Sequence, residues 1–191
     1  MGTRILGLIS AVAIATAAPA FALGQDEPVP PKLALLVMLK VLTYDKNLAA
    51  RGEGDFVVLV ATEAGQEAAR REALTATEEL RGATLRTRAV RFRFVAFSSE
   101  ATLRQAVIDH KAEAVLLLPG LTAAGLETAA SVAGSLQLYT LSLDPSFVEQ
   151  SLAVGVTNHA GRPQIVLNLA AARLANASFE PAVLKLARII Q

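Results

Sequence analysis

Six residues sit in turns that follow apolar runs: Thr62, Glu63, Gly120, Thr122, Asp144 and Ser146. Two are carboxylates, three are hydroxyls and one is a glycine. In parallel α/β sheets, ligands lie beyond the carboxyl ends of the strands, so these are the candidate small-ligand contacts. The same residue types also make ordinary turns and helix caps. Glu63 and Asp144 both follow strand-like runs and could serve as a general acid and base if they converged with separated pKa values, although nothing singles them out for that role. His110 falls on the apolar side of a helical pattern and is expected to be a buried, hydrogen-bonded core residue. His159 lies in a hairpin loop beside Arg162, where the two are solvated or touch a partner.

Other chemistries are absent. The sequence has no G-x-x-x-x-G-K-[ST] phosphate loop, no G-x-G-x-x-G, no G-x-S-x-G elbow and no His-Glu-x-x-His. Gly52-Glu53-Gly54 lacks a third glycine and precedes a strand. There is no cysteine, which excludes disulfides, thiolate metal sites and a cysteine nucleophile. No D-x-D cluster offers a carboxylate-only metal site. The expectation is a protein that is not an enzyme and uses no cofactor or metal.

The 191 residues carry 18 Lys+Arg against 17 Asp+Glu, a net charge of +1, which argues against an electrostatically driven nucleic-acid binder. Residues 1–22 read as a signal peptide. Arg4 precedes an apolar run from Ile5 to Ala15, and Ala20-Phe21-Ala22 supplies small residues for cleavage after Ala22. The run is shorter than the ~20 residues a membrane-crossing helix needs. A periplasmic location follows, with no membrane insertion once the leader is gone. Residues 23–31 form a mobile Pro-rich stub, and residues 32–191 are long enough for one core.

Along that domain the patterning predicts a helix over 32–48, apolar nearly all round. It is either a central core helix or one that packs a face, through Leu36 and Leu39, on a second copy, which would make a homodimer. A buried strand follows over 56–61, then a helix over 64–81. Residues 84–97 read as a strand whose alternation flips near Ala89–Val90, where a bulge is expected. Arg81, Arg86, Arg88, Arg91 and Arg93 then form a charged outer face that protects an edge. A helix capped by Ser98 or Ser99 runs to His110. The strand over 114–118 leads to a helix from the Thr122 cap to Ala133, and a strand covers 136–143. Residues 152–157 and 163–169 flank Asn158–Arg162 as an antiparallel hairpin, and helices over 170–174 and 181–190 close the chain. The fold class is α/β: a single three-layer domain, its largely parallel sheet flanked by helices on both faces and ending in an antiparallel β-hairpin.

The segment Gly155 to Gln191 resembles the C-terminal signature of the YfiR family of periplasmic regulators. Asn168, Leu169, Ala172 and Arg173 match its N-L-x-x-A-R run. Val183, Leu184, Leu186, Ala187 and Arg188 match its closing L-L-x-L-A-R run. The chain departs from the family at Thr43-Tyr44-Asp45-Lys46, where members have a Trp-Pro pair, and in having no cysteines, so their suggested redox control does not transfer. The resemblance implies a non-enzymatic repressor that holds the periplasmic part of a membrane-bound diguanylate cyclase inactive, lowering cyclic di-GMP and biofilm formation. The residues themselves leave open an alternative, a periplasmic small-ligand-binding protein resembling half of a solute receptor.

Overall fold

A computed structural model describes residues 28–191. The expected leader, residues 1–22, and residues 23–27 of the stub lie outside the described residues. The chain runs α1 (Pro31–Leu42), β1 (Phe56–Thr62), α2 (Glu67–Glu79), β2 (Thr84–Leu85), β3 (Arg88–Ala96), α3 (Glu100–His110), β4 (Ala114–Leu117) and α4 (Ala123–Ser135). It continues through β5 (Tyr139–Ser142), α5 (Pro145–Gln150), β6 (Val154–His159), β7 (Arg162–Asn168), α6 (Leu169–Leu174), α7 (Pro181–Leu184) and β8 (Arg188–Ile190). One sheet holds all the strands in the order β2-β3-β1-β4-β5-β6-β7-β8. Pairing is parallel from β3 through β6, and β6–β7 is the expected antiparallel hairpin.

Successive residues of a strand face opposite sides, and β1 shows this cleanly. Phe56, Val58 and Val60 enter the core beneath α1 and α2, whereas Leu59 and Ala61 enter the core beneath α3 and α4. Both faces of β1 and β4 are buried, which is why their sequences read as continuous apolar runs. The result is the anticipated three-layer α/β domain.

The structure differs from the sequence reading at several places. The first helix ends at Leu42 rather than 48, and Leu48 begins a short 3-10 turn, Leu48–Arg51. The parity flip near Ala89 is not a bulge. Arg86 adopts φ +54° in a two-residue turn that makes 84–89 a small hairpin, Leu85 opposite Arg88. Arg88 is therefore no outer-face residue. It folds inward, bonds Glu113 and donates to Gly54 O at 2.8 Å. The segment after Asp144 forms the helix α5, which was not anticipated. The closing helix stops at Leu184, and Arg188–Ile190 pairs parallel with β7 as a strand. His110 is exposed, because it follows the buried Leu103 and Val107 at the last residue of α3, where the helix leaves the core. Leu36 is exposed, whereas Leu39 is buried within the fold, so of that pair only Leu36 is presented outward.

One interaction explains where α1 ends. Asp45 is fully buried. Its Oδ1 accepts the Asn47 N–H (3.1 Å) and the Ser178 N–H (2.7 Å), and its Oδ2 accepts the Tyr139 hydroxyl. The Arg51 guanidinium lies 3.7 Å over the Tyr139 ring, with Nε 3.9 Å from Asp45 Oδ2, and it also donates to Gln137 O and Ala175 O. Burial, and then the bond to Asp45, push the Tyr139 phenol well above its ordinary value, against the opposing charge of Arg51.

Removing one partner of a buried ionic network costs about 3–5 kcal/mol, so Asp45→Ala should lower urea-unfolding stability by about that much. Tyr139→Phe, which loses one bond, should cost about 1–2 kcal/mol. Above pH ~10 the unfolded phenol ionises while the native one keeps its proton. Stability is therefore held below pH 10 and falls as pH rises beyond it, with a slope that Tyr139→Phe should flatten. Urea titrations of both variants across pH 7–11 measure these effects.

Candidate functional site

The sheet order sets the place where a ligand could enter. The chain leaves β1 toward β3 on one side and then crosses back to β4 on the other. Beyond the carboxyl ends of β1 and β4 the two departing connections run to opposite faces, α2 to one and α4 to the other. Such a reversal leaves a crevice between them.

Glu63 follows β1 and Thr122 follows β4, 59 residues apart in sequence. The Glu63 carboxylate accepts the Thr122 N–H at 2.9 Å and the Thr122 hydroxyl at 2.9 Å. The Thr122 Oγ1 in turn caps α4 by accepting the Gly125 N–H at 3.0 Å. The carboxylate thus rests on the first turn of α4, where unpaired N–H groups and the helix dipole favour negative charge. A side chain at position 125 would displace the Glu63 carboxylate, since a Cβ there would overlap its Oε1.

Gln66 holds the two loops together from below. It is buried; its Oε1 accepts the Glu63 N–H at 2.6 Å, and its Nε2 donates to Leu118 O at 3.1 Å and Pro119 O at 3.0 Å. Gly120 turns the chain at φ +83°. Thr62 is buried, with its hydroxyl 3.3 Å from Val95 O, so it supports the crevice from within. Asp144 and Ser146 belong to the neighbouring strand end. There the Asp144 Oδ1 accepts the Ser146 N–H (3.0 Å) and hydroxyl (2.7 Å) and caps α5.

Of the six residues expected at the strand ends, the structure therefore joins Glu63 to Thr122 across the switch point and leaves Asp144 with Ser146 in a local cap. Each carboxylate is bound to its own helix start, and no hydrogen bond links Glu63 to Asp144. Gln66 and Gly125 were not anticipated. The one trace of them in the sequence was a glycine inside an otherwise helix-forming run. His159 and Arg162 are both exposed, paired with each other at the tip of the β6–β7 hairpin. Residues 156–159 and 162–165 extend past the last pairing with β5 and β8, so this tip projects as an arm.

The turn segments around the crevice, residues 62–67, 96–103, 118–129 and 142–150, contain Glu63, Glu67, Glu100, Glu127, Asp144 and Glu149 and no Lys or Arg. A groove of about 560 Å³ begins beside Thr122 at Ala123 and runs along α4, past Leu126, Glu127 and Ser131, opposite Gln150, Ser151 and Leu174. Among the described residues there is no group of three or more His, Asp or Glu placed to hold a metal ion. No described helix is long and apolar enough to cross a membrane.

No family model matches this chain, and no curated protein matches it. Solved structures do share its fold. One is an ABC domain in complex with L-Trp from Streptococcus pneumonia, with TM-score 0.57, 13% identity, and coverage of 85% of this chain and 60% of that one. A conserved domain protein from Vibrio cholerae has TM-score 0.58 and 14% identity, with coverage of 85% and 60%. A substrate binding protein with adhesive properties from Clostridium difficile, in its ligand-free, open form, has TM-score 0.56 and 9% identity, with coverage of 82% and 58%. The chain spans about six tenths of the length of these proteins. At such identities the likeness is one of fold.

Because the carboxylate sits on the start of α4, Glu63→Ala should cost about 1 kcal/mol for its lost charged hydrogen bonds at a half-exposed site. In a Gly125→Ala background, where the carboxylate is already displaced, the same substitution should cost almost nothing. A double-mutant cycle by urea unfolding reads the difference. Additive costs would mean that Glu63 and Gly125 are not in contact.

Proposed function

We propose that this protein is a non-enzymatic small-ligand-binding domain, related in fold to one part of a substrate-binding protein, and that its ligand enters the crevice between β1 and β4. The observation that carries this reading is the Glu63–Thr122 pair, a fixed carboxylate and hydroxyl facing solvent at the topological switch point. The fold neighbours support it, since one is described as a substrate binding protein and another holds L-Trp. The chemistry of the rim narrows the ligand. Of the carboxylates in the surrounding turns, Glu100 and Glu149 pair with Arg104 and Arg188, whereas Glu63, Glu67, Glu127 and Asp144 have no Lys or Arg partner among the described residues, and the helix start that would attract an anion is already satisfied by Glu63. An amine-bearing polar molecule fits such a site better than a carboxylate or phosphate.

A thermal-shift panel of free amino acids, polyamines and organic cations tests the reading. A ligand at 100 times its Kd adds about 2.7 kcal/mol to stability, which raises Tm by several degrees in a domain of this size. Glu63→Gln and Thr122→Val should each weaken binding about tenfold or more. Hits confined to anionic compounds, or hits indifferent to both substitutions, would move the site elsewhere.

The C-terminal resemblance supports a second, compatible reading, in which the exported domain is a periplasmic regulator of a membrane sensor such as a diguanylate cyclase. A regulator of this kind needs only to bind one sensor state better than the other. Tagged full-length protein should then capture a membrane protein bearing a cyclase domain from envelope extract, and deletion should raise cyclic di-GMP. An unchanged cyclic di-GMP level with no such capture would remove this reading and leave the ligand-binding one intact.

A further inference from the structure

β3 has an open edge, and β2 covers only its start, pairing Thr84 with Ala89 and Leu85 with Arg88. The main-chain groups of the odd-numbered residues turn toward β1; at the strand's end, the Phe97 N–H donates to Thr62 O at 2.9 Å. Those of the even-numbered residues turn outward, where the Val90 N–H reaches Ala83 O at 2.9 Å. Beyond that bond the N–H and C=O groups of Phe92 and Phe94 have no partner among the described residues. Their rings pack against the core beneath α2, so the row of main-chain groups is held in place.

Four arginines flank this edge; Asp55 and Glu78 balance two of them, which leaves an excess of positive charge at Arg70 and Arg93. Arg93 is exposed and has no carboxylate partner among the described residues, and Arg91 beside it pairs with Asp55 at 2.8 Å. On the α2 side, the Arg70 guanidinium lies 5.8 Å over the Phe94 ring, and Arg81 pairs with Glu78 at the lip. Charged residues guard edges against pairing. Guarding by an excess of one sign is selective, however. Two copies of this edge would set arginines against arginines across the new ladder, which is unfavourable. An acidic strand would meet no such barrier.

We propose that the open edge of β3 receives an extended acidic segment of a partner protein as an added strand. Main-chain hydrogen bonds to Phe92 and Phe94 would supply adhesion, and acidic side chains at alternate positions would lie beside Arg91 and Arg93. The segment's other side chains would be apolar, covering Phe92 and Phe94 next to Arg70. From Arg91 to Phe97 the edge offers about 20 Å, enough for six or seven extended residues. A nucleic acid would answer the arginines but would leave the main-chain row unpaired, which favours the peptide.

The test uses the full chain and a fluorescein-labelled heptapeptide of alternating glutamate and valine. Its controls are a lysine–valine counterpart and two glutamate–valine versions N-methylated at alternate residues, one in each parity. Anisotropy at low salt should show the glutamate peptide binding at least about tenfold tighter than the lysine one. N-methylation in one parity should cost about another tenfold. Arg93→Glu, a change at an exposed side chain, should invert the charge preference. Hydrogen exchange on the unaltered protein should slow at the Phe92 and Phe94 amides when the peptide is added. The proposal is overturned by no binding at millimolar peptide, by equal binding of both N-methylated forms with unchanged exchange, or by a single-stranded oligonucleotide that displaces the peptide while protecting the same amides.

Discussion

The fold depends on how one buried carboxylate is satisfied. A charge at the position of Asp45 is tolerable only if its lone pairs meet donors and its charge meets a cation. Its donors are one neighbour, Asn47, and two distant groups, Tyr139 at the start of β5 and Ser178 between α6 and α7. Neighbouring main-chain bonds follow the same path, Lys46 N–H to Ser178 O and Glu180 N–H to Tyr44 O, each 3.0 Å. The exit of α1 is thereby fastened to the middle of the sheet and to the C-terminal segment. Arg51 closes the assembly by stacking on Tyr139. An opening helix that is apolar on nearly every side could lie across the sheet in several ways, and this network selects one of them.

The two ends of the parallel strands have different characters. The end where the strands begin is built for stability. It holds the Asp45 network and the inward pair of Arg88 with Glu113, both largely shielded from water. The end where they finish carries the Glu63–Thr122 contact, the Asp144–Ser146 cap and a rim rich in carboxylates. Polar groups there are partly exposed and cost little to reorganise, which suits a surface meant to meet a ligand. Gln66 lies between these two regimes. Buried beneath the crevice, it bonds to both loops and keeps the polar pair in register with the rigid strands below. The edges of the sheet add a third element. On one side the β6–β7 arm projects beyond its neighbours, and on the other β3 presents unpaired main chain beside a net positive charge.

Much of the layered architecture was legible in the sequence, because it rests on local periodicity. The runs Phe56–Ala61 and Ala114–Leu118 are short, continuously apolar and read as interior strands, which they are. Thr122 and Ser99 are cap residues followed by helix formers, and each does cap a helix, whereas the helix that Asp144 caps was not legible. The two carboxylates and the hydroxyls at the strand ends were also visible. Their grouping was not, because which strands are neighbours depends on the crossover order, and that order placed Glu63 against Thr122 while leaving Asp144 apart.

Sequence by itself determined the alternation of strands and helices, the interior runs, the caps and the hairpin, all of which follow from contacts within a few residues. Tertiary structure alone decided the rest. Arg188–Ile190 lies in an apolar stretch that would suit a helix, yet pairing beside β7 completes the sheet and outweighs that weak local preference. His110 has an apolar spacing, yet α3 ends before the core reaches it. Asp45 looks like a surface residue in the sequence and is the most deeply engaged charge in the fold. For Asp45 and for Arg188–Ile190 the deciding partner lies far along the chain, where the preferences of neighbouring residues cannot express it.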